Sequence, residues 1–273
     1  MRPAQHEAIP AVDLQTDRAH SARVYDYMLG GKTNFAADRA AGDKIIAQWP
    51  GSREAARAAR AVMHRMVRRL AQVHGIRQFL DIGTGIPTAP NLHEVAQDVA
   101  AECRVVYVDN DPIVLAHARA LLTSTPQGRT AYIDGDLRDP QRLLATPALR
   151  GVLDLQQPVA LTLINIVHFL PDDTVHPLVE QLLDALPSGS LLALTAGTAD
   201  SAPERAALAS RRYREAGIEN HLRTRAEVER FFTGLELDEP GVALINHWHP
   251  ELDDGPMLED HEVMAYAGLA RKP

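Results

Sequence analysis

Cysteine is almost missing from this chain. Cys103 stands alone, so no internal disulfide can form, and the composition suits a reducing compartment. Basic residues are in deficit as well: 28 Lys and Arg against 36 Asp and Glu leave a formal charge of −8, which offers no global attraction to phosphate backbones or anionic membranes. Long apolar runs are absent too. The longest, around residues 159–170, is too short to span a bilayer and is interrupted by Asn165 and His168. The first twenty residues hold no apolar stretch of signal-peptide type. The expectation is a cytoplasmic protein with neither a membrane nor a nucleic-acid partner.

What is present is apolar material for a core. At 273 residues and 45% hydrophobic content, the chain is expected to form one domain with appendages. After a start expected to be mobile, RVYDYMLGGKTNFAADR reads as a helix, a tight double-glycine turn and a second helix. From Arg53 to Val73, the residues Ala55, Ala59, Val62, Met66, Leu70 and Val73 recur at helical spacing. The arginines of that helix, Arg57, Arg60, Arg65, Arg68 and Arg69, fall outside the apolar stripe, as on a solvated face. Residues 1–75 are thus expected to form a helical cap or lid, and 76–273 the main domain.

From Gln78 onward, short apolar runs alternate with helical patterns, which predicts a mostly parallel sheet covered on both faces. Strands are expected near 78–82, 104–109, 130–134, 159–165 and 190–196. Asp111-Pro112 and Asp139-Pro140 each offer a cap followed by proline at the first helical position, and Thr224 with Glu227 has capping-box spacing. Two more strands, near 242–247 and 262–269, are expected as an antiparallel pair at the sheet edge. The loop from His249 to Asp260 is rich in Pro, Gly and acid.

Ligands of open α/β sheets bind beyond the carboxyl ends of the strands. Polar residues stand at four of the expected ends: Asp81, Gly83 and Gly85; then Asp109, Asn110 and Asp111; then Gly135 and Asp136; then Asn165 and His168. Gly83 and Gly85 can turn the chain and let a ligand approach bare backbone. An acid two residues before such a turn suits an amino-acid-bearing nucleoside better than a dinucleotide.

The succession LDIGTG, VVYVDND, YIDGDLRD and LINIVHFLPDD resembles motifs one to four of class I S-adenosylmethionine-dependent methyltransferases, and YAGLARKP resembles their closing strand. The likeness runs over roughly residues 76–270. RVYDYMLGGKTNFAADR and RFFTGLELDEPGV further resemble a bacterial family known simply as S-adenosyl methyltransferase. The resemblance implies a Rossmann-like methyltransferase sheet, S-adenosylmethionine as cofactor, S-adenosylhomocysteine as product, and an unidentified small-molecule acceptor. One departure is Pro87, where such enzymes often carry a third glycine.

With that cofactor, each strand-end residue acquires a role. Asp81 would orient the glycine turn or receive the methionine ammonium, and backbone N–H groups from Gly83 through Thr84 to Gly85 would meet the methionine carboxylate. Asp109 would accept both ribose hydroxyls. Asp136 would accept from the adenine amino group, with the Leu137 N–H donating to the ring. Asn110, Asn165 and Tyr27 complete the expected cofactor-binding set. Tyr27 belongs to an aromatic group with Tyr25 and Phe35 that could close over the cofactor or simply pack a helical subdomain.

His168 is the expected catalytic residue, removing a proton from the acceptor or positioning it; the competing view is a histidine bonded within the structure. Leu29-Gly30-Gly31-Lys32-Thr33 resembles a phosphate loop only superficially, since Asp26 stands where that motif needs glycine. His247 and His249 flank Trp248 but lack further ligands, so no metal is expected. Two other functions compete: a cofactor-binding sensor without turnover, and a nicotinamide-dependent oxidoreductase, which the Gly135-Asp136 pair disfavours. Monomer and homodimer both remain open.

Overall fold

The computed structural model describes residues 15–121, 123–252 and 257–273. Of the expected mobile start before His20, residues 1–14 lie outside the described residues, as does part of the acidic loop after His249. The main domain is an eight-stranded sheet in the order β3-β2-β1-β4-β5-β8-β6, with β7 pairing β8 alongside β6. Its strands are β1 (Gln78–Ile82), β2 (Arg104–Asp109), β3 (Arg129–Asp134), β4 (Ala160–Leu163), β5 (Leu191–Gly197), β6 (Glu236–Leu237), β7 (Ala243–Leu244) and β8 (Ala265–Arg271). β1 through β5 pair in parallel, and β8 runs antiparallel to β5, β6 and β7.

Strand periodicity sorts the core into two layers. Leu80, Val106 and Leu161 face one side with Val175, Val179 and Leu182 of α8 (Asp172–Asp184). Phe79, Val105 and Ala160 face the other, against Val62, Met66 and Leu70 of α3 (Ser52–Gln72) and Leu92 and Val95 of α4 (Leu92–Val99). Burial on both faces explains why these strands read as near-continuous apolar runs. The remaining helices of this unit include α5 (Pro112–Leu121), α6 (Pro140–Ala145) and α7 (Pro147–Arg150). Asp111 accepts from the Ile113 N–H and Asp139 from the Arg142 N–H, the caps their prolines announced.

The arginines of α3 do more than coat a solvated face. Arg65 is buried and donates to the Trp248 and Ile245 carbonyls, while Arg69 pairs with Asp238. α3 is thereby fastened to the C-terminal segment. Trp248 is fully buried, and its neighbours His247 and His249 bond to Asp260 and Glu251.

Above the strand ends lie α1 (Ser21–Leu29) and α2 (Ala36–Gln48). Val24, Met28, Ala41, Ile45 and Ala56 form a third cluster, joined by Tyr213 and Ala216 from the end of α9 (Pro203–Glu215). The cap is therefore built from two segments about 150 residues apart in the sequence, α1–α2 and α9. The double-glycine turn wraps a carboxylate: Asp26 accepts from the Thr33 N–H and the Asn34 amide, and Gly31 lies so close to it that a Cβ would collide at 2.0 Å.

Candidate functional site

The strand order reverses between β1 and β4, and a cleft of about 800 Å³ opens over that point. Nearly every expected site residue lines it: Asp81, Gly83, Thr84, Gly85, Asp109, Asn110, Asp136 and Leu137 at the ends of β1, β2 and β3, and Asn165 and His168 past β4. The N-terminal segment closes it from above with Arg18, His20 and Tyr25.

The glycine turn is anchored to β2. The Gly83 and Thr84 N–H groups both donate to the Val108 carbonyl, and the Gly85 N–H donates to Asp109 Oδ2 at 2.8 Å. These N–H groups are consequently engaged, which corrects the expectation that they meet a methionine carboxylate. Gly83 has φ +79° and lies so near Ile166 that a Cβ would sit 2.8 Å from it. Gly85, at φ +67°, is the reverse case: a Cβ there would meet no protein atom within 4 Å, so the bare backbone opens onto the cleft.

Asp109 is held by backbone donors on both oxygens, Gly85 on Oδ2 and Asp111 on Oδ1. Each carboxylate oxygen has room for two donors, so one acceptor site per oxygen is left for a ligand. A pair of ribose hydroxyls needs that arrangement. Burial pushes its carboxyl above the usual range. Asp81 is buried too and is pushed up to about 6 by desolvation, against the opposing hydrogen bond from Thr162 to its Oδ1.

Asp136 is otherwise occupied. Its Oδ1 accepts from the Arg138 backbone and Nε, and its Oδ2 from Arg138 Nη2 and Asn110 Nδ2. Although partial burial opposes ionisation, these donors hold its carboxyl down to about 2. All four acceptor positions are filled, so the expected bond to an adenine amino group needs Arg138 to swing away. Asn110, expected as a cofactor contact, serves as a prop for Asp136.

Asn165 follows β4 with φ +56°, a left-handed conformation that asparagine tolerates, and exchanges hydrogen bonds with Thr195. His168 sits in a single helical turn, Val167–Phe169, where its Nδ1 accepts weakly from the Gly197 N–H at 3.4 Å. Desolvation, helped by Arg223 and His221, pushes the ring down to about 3. The bonded Nδ1 puts the neutral ring's proton on Nε2. His168 thus turns Nδ1 to a backbone donor and keeps Nε2 as its second ring nitrogen.

Tyr27 is the other correction. It points away from the cleft, donating to Asp43 at 2.6 Å with Arg53 stacked on its ring. Phe35 likewise stays outside and carries Arg23 on its face. Tyr25 is the aromatic that reaches the cleft, its hydroxyl bonded to the Ala56 carbonyl. Sequence reasoning also missed Arg60, which lines the cleft and donates to the Thr88 and Pro90 carbonyls, holding the loop past Pro87. Among the described residues no cluster of three metal-ligating side chains occurs, and no helix is long and apolar enough to cross a membrane.

The profile of the family described as S-adenosyl methyltransferase matches residues 7–273. A DUF574 family protein from Streptomyces avermitilis has a solved structure 52% identical in sequence, with TM-score 0.92, covering 96% of this chain and 100% of that one. A protein from Thermobifida fusca, provisionally described as a methyltransferase, is 42% identical, with TM-score 0.87, covering 95% and 97%. The plantazolicin methyltransferase BpumL, solved with S-adenosylhomocysteine, shares the fold at 12% identity and TM-score 0.52, over 92% and 95% of the chains. No curated protein matches the chain.

Proposed function

Because the chain belongs to the S-adenosyl methyltransferase family, whose cofactor is S-adenosylmethionine, we propose that it transfers the cofactor's methyl group to a small-molecule acceptor held beneath the cap. The observation that carries this reading is Asp109. It is fixed by two backbone donors, lines the cleft, and keeps one acceptor site on each oxygen for a vicinal diol. Gly85 beside it leaves open space where any side chain would intrude.

Bound in this cleft, the cofactor would supply an electrophilic methyl on a sulfonium whose departure needs no protonation. The residues then have three tasks. Asp109 holds the ribose, Asp81 offers its buried carboxylate to the methionine ammonium, and Leu137 gives the adenine an apolar neighbour. The cap excludes water through Tyr25, whose hydroxyl is committed to Ala56. Alignment of donor and nucleophile alone can contribute roughly 7–11 kcal/mol. His168 orients the acceptor through its Nε2–H.

Calorimetric titration tests the assignment. S-adenosylmethionine and S-adenosylhomocysteine are expected to bind one equivalent each and NAD none. Binding of NAD without response to the sulfur nucleosides would overturn it. Formation of S-adenosylhomocysteine across an acceptor screen then reports turnover.

A further inference from the structure

The amino-acid end of the cofactor is a zwitterion, and a buried carboxylate needs a counter-charge as much as a buried ammonium does. Asp81 answers the ammonium. The glycine turn does not answer the carboxylate: the Gly83, Thr84 and Gly85 N–H groups are engaged, Pro87 has none, and the Thr88 N–H donates to Asn91 Oδ1. Within the turn, the Ile86 N–H alone keeps no acceptor among the described residues, and one neutral donor does not balance a charge.

Among the described residues, three arginines line the cleft. Arg138 is paired with Asp136 at the end of β3, and Arg18 lies exposed on the rim, bonded to Gln15. Arg60 differs from both. It is half-buried on α3, one turn after Ala56, whose carbonyl accepts from Tyr25. Both of its hydrogen bonds are made by Nη2, to the Thr88 and Pro90 carbonyls, so no carboxylate is bonded to it, and its Nε–H and two Nη1–H groups keep no acceptor among the described residues. Its field reaches the residue that answers the ammonium: desolvation raises the Asp81 carboxyl to about 6, and Arg60 pulls against that rise. Asp81 nevertheless bonds Thr162 while Arg60 bonds carbonyls, so neither is spent on the other. Glu94, a second acid within its field, is committed to the Asn91 cap.

Resting on the methyltransferase reading, we propose that Arg60 is the carboxylate-binding residue of the cofactor site, its guanidinium meeting the methionine carboxylate while Asp81 holds the ammonium. The zwitterion is then read by two elements, β1 for its cation and α3 for its anion. Arg60 also holds the loop past Pro87, so the loop with proline in place of a third glycine and the ligand share one side chain.

Calorimetry on the intact protein tests this with S-adenosylhomocysteine and its decarboxylated analogue, S-adenosyl-3-thiopropylamine, which keeps the ammonium. The parent is expected to bind the carboxylated ligand at least about tenfold more tightly, as for a hydrogen bond between charged groups. Arg60→Gln, which keeps a donor for the loop carbonyls, is expected to weaken S-adenosylhomocysteine by about tenfold or more and to leave the analogue unchanged or tighter. Arg60→Lys is expected to give a preference between those of the parent and Arg60→Gln. Equal affinities of the two ligands in the parent overturn the proposal. So do equal losses for both ligands in Arg60→Gln, which would show a residue that only holds the loop, and so does an S-adenosylhomocysteine affinity untouched by that substitution. If Arg60→Gln does not fold, Arg60→Lys decides, a preference equal to the parent's overturning the proposal. Failure of S-adenosylhomocysteine to bind the parent overturns the cofactor assignment and this proposal with it, whereas binding without preference strikes the proposal alone.

Discussion

A single carboxylate can serve a ligand only with the acceptor sites its own protein leaves over. Asp109 keeps two, so Asp109→Ala is expected to weaken S-adenosylhomocysteine binding by about 1–3 kcal/mol, read by calorimetry. Asp136→Ala is expected to cost less, because Arg138 and Asn110 already fill its four positions; equal losses would show that Arg138 leaves when the ligand arrives. Asp81 gives a pH signature. Its carboxyl sits near 6 in the fold against about 4 in the unfolded chain, so the native state holds the extra proton and folding stability falls as pH rises through that window. Ligand binding runs oppositely, since only the ionised form meets an ammonium: affinity is expected to drop about tenfold per pH unit below 6. Asp81→Asn, which still accepts from Thr162, should stabilise the free protein by on the order of 2 kcal/mol above pH 6 while weakening the cofactor and flattening that pH profile. A pH-independent affinity in the parent would remove Asp81 from the ammonium site. The acids were legible from sequence because strand ends must face the cleft. Tyr25 and Tyr27 were not distinguishable, lying two residues apart on nearly opposite sides of one helix, and only packing against Gly42 shows which side is outside.

Elements reach the site through residues the motifs never name. Arg223 is buried and donates to the Val167, Leu170 and His221 carbonyls and to Asp172, while the Arg223 N–H bonds Gly197 and the His221 N–H bonds His168. One arginine thus clamps the segment carrying His168 between β4 and β5. Arg223→Met leaves the Leu170 and His221 carbonyls without a donor and takes one of two from Val167, and is expected to cost about 3 kcal/mol in denaturant unfolding. Asp172→Ala should cost far less, its side chain being 37% exposed. Comparable losses would mean the ion pair, not the carbonyl bonds, carries the clamp. The sheet was readable from β1 to β5 and at β7 and β8, since apolar runs with capped helices between them admit few topologies, whereas β6, two exposed residues, carries no such signal. α9 was not. Its arginine-rich sequence gives no strong apolar stripe, and its contribution to the cap is a long-range contact with α2 that periodicity does not encode. The α3 arginines misled for a related reason: charge outside the stripe predicts solvent, unless a distant carbonyl such as that of Trp248 comes to meet it.

At the scale of the whole molecule, the cap and the sheet share one cleft. Arg18, His20 and Tyr25 line the cleft from above, and His20 Nδ1 lies 3.1 Å from Asp111 Oδ2, two residues from Asp109. If the nucleoside enters past this segment, the stretch before α1 opens and recloses around it. Its attachment is suited to that: a few polar contacts, such as the His20 N–H with Asp38, and the small cluster around Val24 and Met28, against two large sheet layers below. Hydrogen exchange is the direct measurement. On adding S-adenosylhomocysteine, amides from residue 18 through α1 are expected to gain protection by an order of magnitude or more, whereas β1, β4 and β5, which open only on global unfolding, should stay unexchanged over the same minutes with and without ligand. Uniform protection across sheet and cap would mean that the ligand stabilises the molecule as one unit. No change in the cap would mean that entry runs through another opening, and the role of Tyr25 in excluding water would fall with it.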